Sequence, residues 1–530
     1  MRALKHRRME SMAVATAVVL TLVLGFSAQL ASANVNDEET GLAALAERIG
    51  TVPTGAGVGV GQVEAIANSN YAPNENDSDF AGKTIVEASG ASGVSNHANT
   101  VSKAFFGLSQ SLAPGIDKAY VYEVNYWLGT FLRLGSSSVP SVTPSDQKIV
   151  NHSWVGSAGS WDNQVLRRAD YVMVRDDVLM CVGVNNSDPA FPLMAYGYNG
   201  ISVGTLDGSH ASTDVAAGYD GAGRTKPEIV ASGSNFTSFV TPVVGAAAAL
   251  LVETARTYAD LAVNPDAERS EVIKAVLLCG ADRSGNWTNN PIESGGTRGW
   301  TDRGLDLVYG AGSLWVDDSH LILTGGETNG ESTVPLDNTI TGPGWALDNI
   351  NIGESSYWRF TLTEPSDVEF LATWHRKTNT SFTANYISDF DLLLWSVSGI
   401  TLEPLLGSGP RIFGGNVTSE SAVDNVELIH TTSLAPGEYV LQVSRVDGAS
   451  SATRDVAVAW KIPESAPQGL VGDLNNDGSV DIGDFSIFLV SFGQTCEPSD
   501  ECLGDLDGDR MVSISDFSIF LVNFGATAGG

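Results

Sequence analysis

Four residues in this chain are of the types that together carry out nucleophilic acyl transfer: Glu64, His97, Asn185 and Ser238. A serine hydroxyl becomes a nucleophile when an imidazole takes its proton. The imidazole acts in one tautomer and orientation, which a carboxylate fixes. The oxyanion that forms on the substrate needs donors waiting for it, and an asparagine amide is one such donor. Ser238 sits in Thr237-Ser238-Phe239-Val240-Thr241-Pro242, followed by Val243-Val244-Gly245 and a run of alanines. The stretch reads as a serine at the mouth of a buried helix, beside backbone N–H groups and a positive helix end, with Pro242 one turn on where a missing N–H costs little. It also reads as an N-cap serine on an alanine-rich helix.

The flanking patterns say which elements would position these residues. Gly55-Ala-Gly-Val-Gly-Val-Gly-Gln-Val-Glu64 is a strand ending in a carboxylate. Asn96-His97-Ala98-Asn99-Thr100-Val101 places a histidine at a helix start, and Val178-Leu-Met-Cys-Val-Gly-Val-Asn185 is a strand ending in an amide. Strand C-termini and helix N-termini are where open α/β sheets build their sites. From about Thr40 to Leu323, apolar runs (Gly57–Val63, Lys148–Ser153, Val178–Val184, Gly200–Val203) alternate with helical patterns, which predicts an α/β parallel sheet flanked by helices. From about Val334 to Pro463 the pattern changes to short alternating strands: Tyr357–Leu362, Val368–Trp374, Phe390–Val397, Val426–Thr431, Glu438–Val443 and Val456–Trp460. That is the pattern of an antiparallel β-sandwich.

The resulting division is an N-terminal segment over 34–54, an α/β catalytic domain over 55–323, a sandwich over 334–463, a linker over 464–469 and a terminal module over 470–526. The chain has 530 residues and a formal net charge of −33, which argues against nucleic acid and anionic membrane as partners and for solubility and cation binding. A basic start (Arg2, Lys5, Arg7, Arg8), an apolar run from Met12 to about Ala28 and Ala31-Ser32-Ala33 form a secretory signal over 1–33, cut before Asn34. The mature chain is thus expected outside the cell, with no further segment apolar enough to span a bilayer. In an exported chain, Cys496 and Cys502 are expected to pair, and Cys181 and Cys279 to be buried small hydrophobes.

The order acid–His–Ser, together with local motifs, resembles the subtilisin-like serine proteases. Their H-G-T-H-V-A-G segment corresponds to His97-Ala-Asn-Thr-Val-Ser-Lys103, and G-T-S-M-A-T-P to Phe236-Thr-Ser-Phe-Val-Thr-Pro242. A-A-G-N corresponds to Val182-Gly-Val-Asn185, and K-P-D-I-V-A-P-G to Lys226-Pro-Glu-Ile-Val-Ala-Ser-Gly233. Ile149-Val-Asn151-His-Ser153 resembles the substrate-binding strand, and Tyr309-Gly-Ala-Gly312 the turn near the end of that domain. The resemblance implies His97 as general base, Ser238 as nucleophile, Asn185 as oxyanion donor and a protein or peptide substrate. Glu64 stands where the family has Asp, one methylene longer, and Asp77 or Asp79 are the alternative partners for the imidazole. Val184 and Val155 add bulk near the specificity pocket. Asn34 to about Thr54 is too short for the family's folding prodomain, so an inactive relative that keeps the fold is the alternative reading.

The end of the chain is an internal repeat: Asp484-Phe-Ser-Ile-Phe-Leu-Val-Ser-Phe-Gly493 recurs 32 residues later as Asp516-Phe-Ser-Ile-Phe-Leu-Val-Asn-Phe-Gly525. Before each copy lies a loop with oxygen-bearing residues at positions 1, 3, 5, 9 and 12 of an EF-hand-type calcium site. The first is Asp473, Asn475, Asp477, Asp481 and Asp484, with Gly478 at position 6 and the Ser479 carbonyl at 7. The second is Asp505, Asp507, Asp509, Ser513 and Asp516, with Arg510 at position 6 and the Met511 carbonyl at 7. One helix per loop and an Asp at position 12 resemble dockerin type I modules, which implies two calcium ions and a cohesin-like partner. Ile482-Gly483 and Ile514-Ser515 replace the Ser-Thr pair common at the partner-contacting positions, so a partner of different specificity is expected. The apolar helix faces (Phe485, Phe488, Leu489, Phe492; Phe517, Phe520, Leu521, Phe524) are expected to form core. The sandwich resembles the prepeptidase C-terminal type through Asp389-Phe-Asp-Leu-Leu-Leu-Trp395 and Leu434-Ala-Pro-Gly-Glu-Tyr-Val-Leu-Gln-Val443.

Overall fold

The computed structural model describes residues 38–405, 413–448, 452–464, 471–475, 478–495, 503–506 and 510–526. The signal over 1–33, its cut before Asn34, most of the linker, Asp477, Asp507, Asp509, Cys496 and Cys502 lie outside the described residues. In the N-terminal half, near-continuous apolar runs become strands β1 (Gly59–Glu64), β2 (Thr84–Glu87), β3 (Lys118–Glu123), β4 (Gln147–His152), β5 (Leu179–Gly183), β6 (Ile201–Thr205) and β7 (Ile229–Ala231). They form one sheet in the order β2-β3-β1-β4-β5-β6-β7 with every pairing parallel. β1, β5 and β6 are buried along their whole length, as a sheet covered on both faces requires.

The flanking helices include α1 (Leu42–Ile49), α2 (Asn96–Phe106), α3 (Asp162–Asp176), α4 (Thr237–Thr257) and α5 (Ser270–Cys279). α4 runs through the core with Val243 to Leu251 fully buried. Its small residues permit close crossing: a Cβ on Gly245 would come within 2.9 Å of the Phe105 ring on α2. That crossing brings together the two helices whose first turns carry His97 and Ser238. Contrary to the sequence expectation, α4 is, by length and composition, long and apolar enough to cross a membrane. Its apolar surface is instead covered by this core.

The C-terminal half of this unit is the sandwich. One sheet holds Ser355–Leu362, Gly437–Gly448 and Ser388–Ser398; the other holds Gly344–Ile350, Arg454–Lys461, Ser366–Thr373 and Val426–Leu434. The strand Gly344–Ile350 is additional to those expected from sequence. Residues Trp345, Leu371, Leu428, Ala457 and Ala459 face the α/β core, while Ala346, Phe370, Ile429 and Val458 face the sandwich core. The other three strands of this two-sided sheet are expected from sequence; Gly344–Ile350 differs in carrying Asp348 and Asn349, which break its apolar run. α/β layer and sandwich accordingly form one compact unit through Pro463, and residues from Glu464 onward form a second.

In that second unit, helices Ile482–Ser491 and Ile514–Asn523 pack through Phe485, Phe488, Phe517 and Phe520, with the Phe488 and Phe520 rings 5.5 Å apart. The expectation of an all-core apolar face is corrected here. Leu489, Phe492, Leu521 and Phe524 are exposed, because two helices of ten residues cannot cover four flanks of each other.

Candidate active site

The sequence-derived residues converge at the C-terminal ends of the parallel strands. Glu64 is the last residue of β1 and fully buried; His97 is the second residue of α2, whose start is capped by Ser95 accepting from the Ala98 N–H. The Glu64 carboxylate meets His97 Nδ1 at 2.7 Å. The alternative acids are committed elsewhere: Lys103 pairs with Asp77 at 2.8 Å and Asp79 at 3.1 Å. Burial alone would pull the His97 imidazole down, but the charge of Glu64 and its hydrogen bond outweigh that, and the imidazole is held above its ordinary value. About a third of the His97 side chain stays open to solvent. His152, one strand away, is the other histidine near the site. Burial pushes it down to about 3, and its Nδ1 accepts from the Trp154 indole, so it is a neutral structural group.

Ser238 is the second residue of α4. The N-cap is Phe236, which makes no side-chain cap bond, so the N-cap reading of Ser238 is set aside. A different local logic fixes this turn. Pro242 lies four residues after Ser238 and has no N–H, which leaves the Ser238 carbonyl without its helical donor. Ser153 supplies one: its Oγ donates to the Ser238 carbonyl at 2.8 Å, and Asn151 Nδ2 in turn donates to Ser153 Oγ at 2.9 Å. Ser238 Oγ itself donates a long 3.4 Å bond to the Ser153 carbonyl. Among the described residues no hydrogen bond joins His97 to Ser238. The neighbouring Phe239 ring lies 5.6 Å from the imidazole, so the hydroxyl-bearing turn is beside the base.

Asn185 lies just beyond β5, but its amide turns into its own loop and donates to the carbonyls of Ser187 and Pro189. The contact to the α4 mouth comes from the next residue: Asn186 Oδ1 accepts from the Thr237 N–H at 2.8 Å and from Thr237 Oγ1 at 3.0 Å. Val184 is buried, and its carbonyl accepts from Thr237 Oγ1 at 2.6 Å, so its role is to seat the helix mouth. Sequence reasoning missed Asn186. It also missed Gln62, whose signal was present: it lies two residues before Glu64 on the same face of β1. Cys181 and Cys279 are buried, and burial pushes both thiols up to about 12, which makes them inert packing groups.

The terminal unit keeps the repeat in its hydrogen bonds. Asp473 accepts from the Gly478 N–H at 2.9 Å and Asp505 from the Arg510 N–H at 2.8 Å, so position 1 ties down position 6 in each loop. Asp484 accepts from the N–H groups of Leu474 and Asp481, and Asp516 from those of Leu506 and Ser513. Gly478 has φ +86° and Arg510 φ +70°, so both loops turn through the left-handed region. Ser479, Asn475, Asp481, Met511 and Ser513 occupy the remaining described positions. Among the described residues no three His, Cys, Asp or Glu side chains group as a metal cage.

No family model matches the chain, and no curated protein matches it. Among solved structures it is similar to a cold adapted subtilisin-like serine proteinase at 16% identity, covering 38% of this chain and 77% of that one with a TM-score of 0.24. A lanthipeptide protease gives 14% identity over 53% of this chain and 92% of that one, with a TM-score of 0.34. The serine protease MycP1 gives 11% over 55% and 90%, with a TM-score of 0.28. Likeness of this degree carries no argument; function rests on the site.

Proposed function

We propose that the chain is an exported serine endopeptidase that hydrolyses peptide bonds through an acyl-enzyme and is tethered by a calcium-binding dockerin-like module. The observation that carries the reading is the 2.7 Å contact between a buried carboxylate and the Nδ1 of a partly open histidine, beside a helix whose second residue is Ser238. In this reading His97 Nε2 takes the proton of Ser238 Oγ as the oxygen adds to the substrate carbonyl, then returns it to the leaving amine, releasing the first product. A water activated by the same imidazole then cleaves the ester. Glu64 holds the tautomer and stabilises the imidazolium. The oxyanion is met by the Ser238 N–H and by Asn185 once its amide leaves the Ser187 and Pro189 carbonyls.

In the terminal module, the donor set is hard oxygen, which suits calcium. Asp473, Asn475, Asp477, the Ser479 carbonyl, Asp481 and Asp484 would hold one ion, and Asp505, Asp507, Asp509, the Met511 carbonyl, Ser513 and Asp516 the other. The ions would balance carboxylate repulsion and order the loops; the exposed faces of the two helices are open to a cohesin-like protein. An export signal over 1–33, cut before Asn34, would carry both functions outside the cell.

A second reading, a catalytically inactive binding protein on the same fold, draws on the Ser238 hydroxyl facing the Ser153 carbonyl and on the Asn185 amide facing its own loop. A serine-directed fluorophosphonate separates the two. Covalent labelling that is lost in Ser238→Ala, with parallel loss of casein hydrolysis, supports the peptidase; an unlabelled, folded protein supports the binding protein.

A further inference from the structure

We propose that Gln62 is a positioning residue that lets a glutamate take the place of the shorter acid, by clamping one carboxylate oxygen of Glu64 so that the other is directed at His97. The proposal rests on the peptidase reading of the Glu64–His97 pair and deepens it. Gln62 and Glu64 share one face of β1, and both are fully buried. Gln62 Nε2 donates to Glu64 Oε1 at 2.9 Å and to the Ala98 carbonyl at 3.1 Å, using both amide hydrogens. Ser102 Oγ, one turn after Ala98 on α2, donates to Gln62 Oε1 at 2.9 Å. The Ala98 carbonyl, which can only accept, fixes which end of the amide carries the hydrogens, and the Ser102 hydroxyl satisfies the other. Glu64 Oε2 is left for His97 Nδ1.

The geometry explains the need. Glu has one more rotatable bond than Asp, so an unclamped carboxylate could swing along the strand end and lose the imidazole. The clamp also ties β1 to the first turn of α2, so strand, carboxylate and His97 move as one body. Glu64 is the one charged group shaping the His97 titration among the described residues.

Gln62→Met keeps volume and removes both donated bonds. Without them the carboxylate loses its fixed direction, and with it part of the contact that holds the imidazole up. The expected result is a fall in kcat of about 10–100-fold, the usual cost of losing an outer partner that orients a functional histidine, with KM unchanged within about twofold. The acid limb of kcat/KM and the His97 imidazole titration, followed by ¹⁵N NMR with His97→Gln as the assignment blank, should both move to lower pH, toward the position in Glu64→Gln. Ser102→Ala, a milder change that leaves the fold intact, should show the same signs with a smaller loss. A wild-type titration and kcat in Gln62→Met, or movement to higher pH, overturns the proposal. If the unmodified protein neither cleaves casein nor labels with fluorophosphonate, the peptidase reading fails, while the His97 titration still decides whether Gln62 governs the pair.

Discussion

At the scale of single residues, the pairing of Glu64 with His97 makes a signed prediction. The carboxylate holds the imidazole above its ordinary value against the pull of burial, so the neutral base is lost at a higher pH than for a free histidine. The acid limb of kcat/KM should therefore lie above about 6.5. Glu64→Gln keeps shape but removes the charge. It should lower kcat by roughly 10³–10⁴-fold and move the His97 titration below the wild-type position. The same pair contributes stability that is fully present below the unfolded imidazole value and is lost as pH rises through the folded one, so part of the wild-type stability should fade on alkaline titration and not in Glu64→Gln. Unchanged turnover in that variant would show that the acid is elsewhere. A second test concerns the amides. Asn185→Ala should cost roughly 10²–10³ in kcat if its amide reaches the oxyanion, whereas Asn186→Ala should act on stability through Thr237. The reverse outcome would transfer the donor role to Asn186. Glu64 and His97 were legible in the sequence because acid and imidazole sit at element ends. Asn186 was not, because two consecutive asparagines in a loop carry no periodicity to say which one faces the helix.

At the scale of elements, the first turn of α4 is held by a proline and a serine that belong together. Pro242 removes the donor for the Ser238 carbonyl, and Ser153 at the end of β4 restores it from across the sheet. Ser153→Ala should leave that carbonyl unsatisfied and cost about 1–3 kcal/mol in urea unfolding. Pro242→Ala puts an N–H back on residue 242, so the double variant should recover much of that loss. A coupling energy near zero in the cycle would mean the two residues act independently. The buried helix itself was readable from its small and apolar residues. The donor could not be read, since residues 153 and 238 meet only once β4 and α4 are stacked. The sandwich strands show a different limit. Three strands of the sheet covered on both faces, Ser366–Thr373, Val426–Leu434 and Arg454–Lys461, were found from sequence, whereas Gly344–Ile350, whose apolar run is broken by Asp348 and Asn349, was not.

At the scale of the whole unit through Pro463, the α/β layer and the sandwich share buried charges. Arg376 in the sandwich donates to Asp170 on α3 at 2.7 Å and to Asp220 at 2.8 Å, and its backbone N–H donates to Asn199 Oδ1 at 2.8 Å. His375 pairs with Glu271 on α5 at 2.9 Å, and Arg283 with Glu369 at 2.8 Å. Burial would raise the Glu369 carboxyl, but Arg283, the His430 hydrogen bond and Lys461 outweigh it and hold the group down at about 2. Glu271 is likewise held well below the carboxylate range, with burial opposing and His375 and Arg269 prevailing. Two consequences follow from these signs. Both carboxylates have depressed values, so the stability they contribute is present above the unfolded carboxylate value near 4.3 and is lost as pH falls toward 2. Because the charges cross between layers, the layers should come apart and unfold together. Calorimetry in acid should show one transition for this unit that moves down with pH, and Arg376→Met, which strands Asp170, should lower it by about 3–5 kcal/mol. Calcium should leave that transition where it is. The residues after Glu464 should give a separate one, raised by millimolar calcium and abolished by a chelator, because their loops gather carboxylates with Arg510 as the one described cation among them. If the sandwich melts before the α/β layer, the shared charges do not join them into one folding unit; if calcium moves nothing, the terminal loops are not calcium sites.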